Sequence, residues 1–344
     1  MKGLATFLLA VFSSSVALAQ PGPIPGTQPV RPVFEHSDLV CMCLAEFVSI
    51  QRQQPPANAD RDQRVRQDVT INLQPLEVYK TDETTQSITV KYAEDVPMLW
   101  PQVAMLQRGQ MGLVFLKSTA PGIYDFSDRF LGVTLFSALP QKVEASGLAG
   151  LESALARIIQ GTNRGDRLSA LWLLQGYDHL SGETIVAVTS LTSPDDPAIA
   201  LTSWAILLKA HAPESVQGLA HFLAGYRGDG EPTDALIGVE DGLSGVRDES
   251  SLSTLESLTD SKYMQVRQGA MQGVRGIGNP KSATVLVKRL DSSDPFVQYE
   301  AVITLSEIFR KYGDFGPSML LFDRNPQKYV QLWKKWWEEE RNKQ

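Results

Sequence analysis

Between residues 166 and 308 one spacing of apolar and small residues returns five times. In "VRQGAMQGVRGI" it is Val266, Ala270, Val274 and Ile277, a set that falls on one face of a helix. "VQYEAVITLSEI" repeats it with Val297, Ala301, Leu305 and Ile308, and "IALTSWAILLKA" with Ile199, Ser203, Leu207 and Ala210. Looser copies are Ala235, Val239, Leu243 and Val246, and Asp166, Ala170, Leu174 and Tyr177. Successive frames are offset by 33, 36, 31 and 31 residues. A unit of that length holds two helices and cannot bury its apolar face alone, so copies must stack into an α-solenoid. The small residue at the second position of the clearer frames lets neighbouring helices approach closely.

Two of the helix starts share a further feature. Asp196-Pro197 and Asp294-Pro295 stand just before their frames, where aspartate caps a helix and proline suits its first turn. A third start, "TDSKYMQVRQGA", lacks the proline but keeps Val266-Arg267 ahead of Ala270. These residues resemble HEAT-like repeats, particularly the short bacterial type that also occurs in bilin-attachment lyases. The resemblance implies a solenoid of about five units over residues 148–323 that serves as a binding surface. Beyond it, "NPQKYVQLWKKWWEEERNKQ" places Tyr329, Val330, Trp333, Trp336 and Trp337 on one stripe. Residues 324–344 are read as a terminal helix that caps the array, since an end repeat must bury one face and wet the other.

The first half of the chain has the period of strands. Leu39 to Ala45 is continuously apolar, with Cys41, Cys43, Ala45 and Phe47 on one face and Val40, Met42, Leu44 and Val48 on the other. That pattern predicts a strand covered on both sides. After the polar, turn-rich "QRQQPPANADRDQR", read as a hairpin loop, "VTINLQPLEVY" alternates and slips phase at Pro75, which predicts a bulge. "SITVKY", "MGLVFL" and "FLGVTLF" complete five expected strands, enough for a small closed or partly open barrel. "HSDLVCMCLAEFVSI", "VTINLQPLEVYK", "SITVKY" and "LQRGQMGLVFLKS" resemble the OB barrel of netrin-like and tissue-inhibitor-of-metalloproteinase-like proteins. Ser37, Asp38, Leu39 and Val40 fit its first strand, and Gly109, Val114, Phe115 and Leu116 a later one. The resemblance covers about residues 34–140. Animal inhibitors of that family chelate the target's zinc with an N-terminal cysteine. The expected mature N-terminus here is Gln20, so that mechanism does not carry over.

Cys41 and Cys43 are the only cysteines. As a zinc site they supply two ligands where four are wanted, and of the histidines only His36 is near. A strained or intermolecular disulfide is the other chemical reading. The reading adopted is that both thiols pack inside a strand, where free cysteine behaves as a small hydrophobe.

The chain starts with Lys2, the apolar "LATFLLAVF" and "ALA" at 17–19, the order of a secretory signal peptide over residues 1–19. Residues 20–33, with Pro21, Pro23, Pro25, Pro29 and Pro32, read as an extended linker. No later run is long and apolar enough for a transmembrane helix. The expected location is therefore periplasmic or extracellular. A net charge of −7 without basic clusters argues against nucleic acid.

Neither a nucleophile elbow, a His-Glu-x-x-His, a phosphate loop nor a complete calcium loop occurs. Arg-Gly-Asp occurs at 164–166 and 227–229, both places where a helix is expected to start, so loop chemistry rather than adhesion explains it. No catalytic, cofactor-binding or metal residue is assigned, and no cofactor is expected. The sequence is read as a multidomain α and β protein, an OB-like barrel followed by a HEAT-like solenoid. Its expected role is non-catalytic, binding or scaffolding a protein partner through the solenoid. The alternative is an inhibitor or regulator of an extracellular enzyme acting through the barrel.

Overall fold

The computed structural model describes residues 30–54, 64–81, 87–97, 105–128, 132–138, 146–193, 195–227 and 233–341. The expected signal peptide, most of the linker, and Gly228 and Asp229 of the second Arg-Gly-Asp lie outside them. Residues 30–33 of the expected linker belong to a helix instead, α1 (Val30–His36), whose apolar Val30 and Phe34 are buried.

Among the described residues six strands follow: β1 (Leu39–Arg52), β2 (Arg64–Lys80), β3 (Ile88–Pro97), β4 (Met111–Ala120), β5 (Ile123–Phe126) and β6 (Val133–Phe136). They hydrogen-bond in the order β1-β2-β3-β5-β4, and β4 returns to β1, which closes a five-stranded barrel. Only β3 and β5 run parallel. The strand expected at Phe130–Phe136 exists as β6, but it pairs with β4 alone and is not a barrel stave. The closing stave is β5, delivered by a tight turn at Pro121-Gly122 in which Gly122 takes φ +70°. Proline followed by a left-handed glycine is the signature of that reversal.

β1 is covered on both sides, as its composition predicts. Cys41, Cys43 and Ala45 face the barrel interior with Val69, Ile71, Leu73, Val90 and Val114. Val40 and Met42 face outward into a second core. The expected alternation fails at Phe47, which is half exposed, while Val48 and Ile50 pack on the interior. The cause is a register shift between Ala45 and Phe47 that leaves Glu46 as an extra residue and flips the phase beyond it. A second shift leaves Leu76 unpaired beside Pro75, where the sequence predicts a bulge, and a third leaves Tyr79 unpaired.

Among the described residues, twelve α-helices make up most of the rest. Five of them, α3 (Arg164–Gln175), α5 (Pro197–Lys209), α7 (Thr233–Ser244), α9 (Met264–Ile277) and α11 (Pro295–Ile308), carry the repeated frames. Each packs against the next, forming one continuous row. The frame residues are its core: Ala170, Leu174, Ser203, Val239, Leu243, Val266, Ala270, Val297, Ala301 and Leu305 are fully buried. Alongside lie α2 (Gly147–Gln160) on α3, α4 (Gly182–Thr189) and α6 (Ser215–Gly225) on α5, α8 (Leu252–Leu258) on α9, and α10 (Ala283–Arg289) on α11.

Neighbouring repeats are also tied through their helix caps. Asp196 accepts from the Ile199 amide at 3.3 Å and from Arg164 of the previous repeat at 2.5 Å. Asp294 accepts from the Phe296 amide at 3.0 Å and from Arg267 at 2.7 Å. The Asp-Pro start thus ends one helix's unpaired amides and receives a cation from the unit before. The array finishes with α12 (Met319–Arg324) and α13 (Pro326–Arg341). Trp333 of α13 is fully buried, donates its indole N–H to the Phe315 carbonyl at 2.8 Å, and meets the Phe315 and Trp336 rings edge-on.

Separate apolar sets for barrel and helices are what the change of period leads one to expect. The structure corrects this. One core contains Val40, Met42, Tyr79, Leu113 and Phe115 of the barrel wall and Phe136 of β6 together with Leu151, Leu155, Leu171, Leu174 and Ile206 of the helices. Polar ties reinforce the seam. Asp166 at the start of α3 accepts from the Ser137 amide at 2.9 Å and its hydroxyl at 2.5 Å, and the Val30 amide donates to Gly176 O at 3.0 Å.

Candidate partner-binding surface

The residue types able to do chemistry are scattered or already committed. Cys41 and Cys43 are fully buried in the barrel, with Sγ atoms 2.8 Å apart. No group of three metal-ligating side chains comes together among the described residues. His36 sits on α1 with Nδ1 2.8 Å from Pro32 O, while His179, His211 and His221 belong to different parts of the helical array. Arg164 and Asp166 of the first Arg-Gly-Asp are bound within the fold, so that tripeptide is the first turn of a helix rather than an exposed loop.

A cleft of about 280 Å³ lies where α1 meets the first repeat, lined by Arg31, Leu148, Ala149, Glu152, Tyr177, Asp178 and His179. Glu152, Arg31, Asp178 and Tyr177 serve the fold. Glu152 accepts from the Ser181 amide at 2.7 Å, Arg31 and Asp178 pair at 3.7 Å, and the Tyr177 hydroxyl donates to Leu148 O at 3.4 Å. Burial, with the Glu152 charge adding to it, pushes the Tyr177 phenol well above its ordinary range, so it stays protonated and cannot act as a base at neutral pH.

The feature that the fold does not account for is on α12. Phe322 is its anchor, fully buried and edge-on to Tyr299 at 5.5 Å. The three residues before it, Met319, Leu320 and Leu321, are all exposed, Leu320 to 64%. An amphipathic surface helix turns apolar residues inward and polar ones outward, and three consecutive exposed apolar residues break that rule. Tyr312, in the connection leading to α12, is exposed as well. Sequence reading passed over "SMLLFDR" because its apolar residues look like ordinary core. Only the position of the neighbouring helices shows that they face water.

No family model matches the chain. No curated protein matches it either. Among solved structures, the crystal structure of one engineered protein is similar at 19% identity and a TM-score of 0.34, over 47% of this chain and 80% of its own. That of a second engineered protein is similar at 20% identity and a TM-score of 0.33, over 48% of each chain.

Proposed function

We propose that this is a non-catalytic, exported binding or scaffold protein that holds a protein partner through its helical array. On this reading the barrel is netrin-like and the helices are HEAT-like repeats. The observation that carries it is the exposed run Met319-Leu320-Leu321 beside an otherwise well-buried aromatic cap. Apolar surface left in water is unfavourable by about 25 cal/mol per Å², and a partner that covers it recovers that energy. The commitment of Glu152, Arg31, Asp178 and Tyr177 of the cleft to the fold supports a binding role over a catalytic one.

The test is affinity capture by the mature protein from the envelope fraction of its source, followed by measurement of the captured protein's affinity. Leu320→Lys together with Leu321→Lys should weaken that affinity at least tenfold while leaving the melting temperature unchanged. The reading is overturned if the double variant binds as well as the parent. It is also overturned if Phe47→Lys on the barrel abolishes binding instead, which would make the barrel the working surface.

A further inference from the structure

The interior of the barrel holds two thiols closer together than two unbonded sulfurs rest. Cys41 and Cys43 are neighbours on the inner face of β1, and their Sγ atoms lie 2.8 Å apart. Non-bonded heavy atoms settle at about 3.5–4 Å, and a disulfide brings its sulfurs to about 2.05 Å. Residues two apart on a strand have Cα atoms about 6.6 Å apart, inside the upper limit of about 6.8 Å for a bridge. Strong twist shortens that rise. β1 is such a place, because one register shift in β2, at Tyr79, falls just before Cys41 and another, at Leu76, falls between Met42 and Cys43, and bulges increase local twist. The extra residues lie in the partner strand, so β1 itself remains continuous through Cys41, Met42 and Cys43.

We propose that Cys41 and Cys43 form an intrachain disulfide across Met42, and that it is made before the barrel closes. The oxidant is a carrier disulfide, small-molecule or protein. One cysteine thiolate attacks a carrier sulfur, forming a mixed disulfide and expelling one carrier thiolate. The second cysteine thiolate then attacks the mixed disulfide at the first cysteine's sulfur and expels the other. Two electrons pass to the carrier, and the two thiol protons end on its sulfurs.

The timing follows from burial. Both thiols are fully covered in the folded chain, and burial, strengthened by its contact with Cys41, pushes the Cys43 thiol well above its ordinary range. Neither reaches a carrier there, and Cys43 does not ionise readily, so the folded protein is locked in whichever redox state it closed with. This inference is independent of the partner-binding reading.

The experiment refolds the full chain from denaturant in a buffer of oxidised and reduced glutathione, and in parallel under reductant alone. Folded monomer is then isolated, denatured under acid quench, and assayed for free thiols and intact mass. Glutathione refolding should give folded monomer with no free thiol and a mass about 2 Da lower than the reduced chain, the loss mapped to the peptide containing both cysteines. Folded reduced protein placed in the same buffer should keep both thiols at least tenfold longer than denatured protein does. Cys41→Ala refolded in glutathione should instead carry one glutathione adduct or one free thiol. The proposal is overturned if glutathione-refolded monomer retains two thiols. A disulfide-linked dimer, or oxidised chain that fails to fold while reduced chain folds, overturns it as well.

Discussion

Glu300 shows at a single residue how the helical array handles charge. It lies on α11 with almost no exposure, 3.5 Å from Arg275, whose guanidinium also binds Glu307 at 2.5 Å. Burial raises the Glu300 carboxyl above its ordinary value, and the nearby arginine only partly opposes this. An acid whose folded pKa is raised holds its proton more tightly in the native state. Its stabilising contribution is therefore complete below the unfolded value, near 4.5, and is lost as pH rises through the folded one. Glu300→Gln removes that titration and leaves Arg275 its closer partner. The gap in urea midpoint between variant and parent should move in the variant's favour as pH goes from about 4 to 8. A gap that does not change with pH would mean that Glu300 is as well solvated in the fold as in the unfolded chain. Sequence reading could not find this residue, because "QYEAV" gives no sign that Glu300 is inside while Glu307, two turns along the same face, is out.

At the scale of elements, the solenoid helices were legible because a repeated frame must be buried somewhere, and only a neighbouring repeat can bury it. The barrel was less so. β5 is four residues long, too short to show a period, and its only signal is the Pro-Gly turn before it. β6 has strand composition yet pairs on one side only, a distinction set by partners and not by composition. How closely the helices approach was legible only in outline. Small residues in the frames allow contact, but the closest approach of α7 and α9 depends on Gly269, which lies outside the frame. A methyl there would come within 2.5 Å of Glu240 O and 2.8 Å of its Cα, atoms of a packed backbone that cannot step aside. Gly182, at the start of α4, has nothing within 4 Å. Gly269→Ala should therefore lower stability by about 2 kcal/mol, the overpacking outweighing a helix-propensity gain of about 1 kcal/mol. Gly182→Ala should raise stability by roughly 0.5 kcal/mol. Denaturant midpoints at constant slope check both, and equal effects would show that α7 and α9 are not held as closely as described.

For the whole molecule, the shared core decides whether barrel and helices are separable. The sequence did hint at it: β1 reads as covered on both faces, yet a small barrel alone covers only the inner one. What it could not identify was the cover, because contacts between distant segments leave no local period. Val40, Met42, Tyr79, Leu113 and Phe115 lie on the outer wall, and each is fully or almost fully buried by helices. Burying a large apolar side chain contributes about 1.5–3 kcal/mol, so five of them amount to roughly 10 kcal/mol. That is as large as the whole stability of an ordinary domain, about 5–15 kcal/mol. A fragment of residues 30–142 also forfeits the bonds from Ser137 to Asp166 and from Val30 to Gly176. It should lack a cooperative thermal transition and should associate through its bare wall. In the full chain, by the same reasoning, amides of β1 and β4 should exchange with the same opening free energy as those of α2 and α3, because neither side of the seam keeps its core once the other leaves. A soluble, cooperatively melting fragment would show that the inner core of Cys41, Ile71, Leu73 and Val114 sustains the barrel unaided. The helices would then be a separate body resting on it.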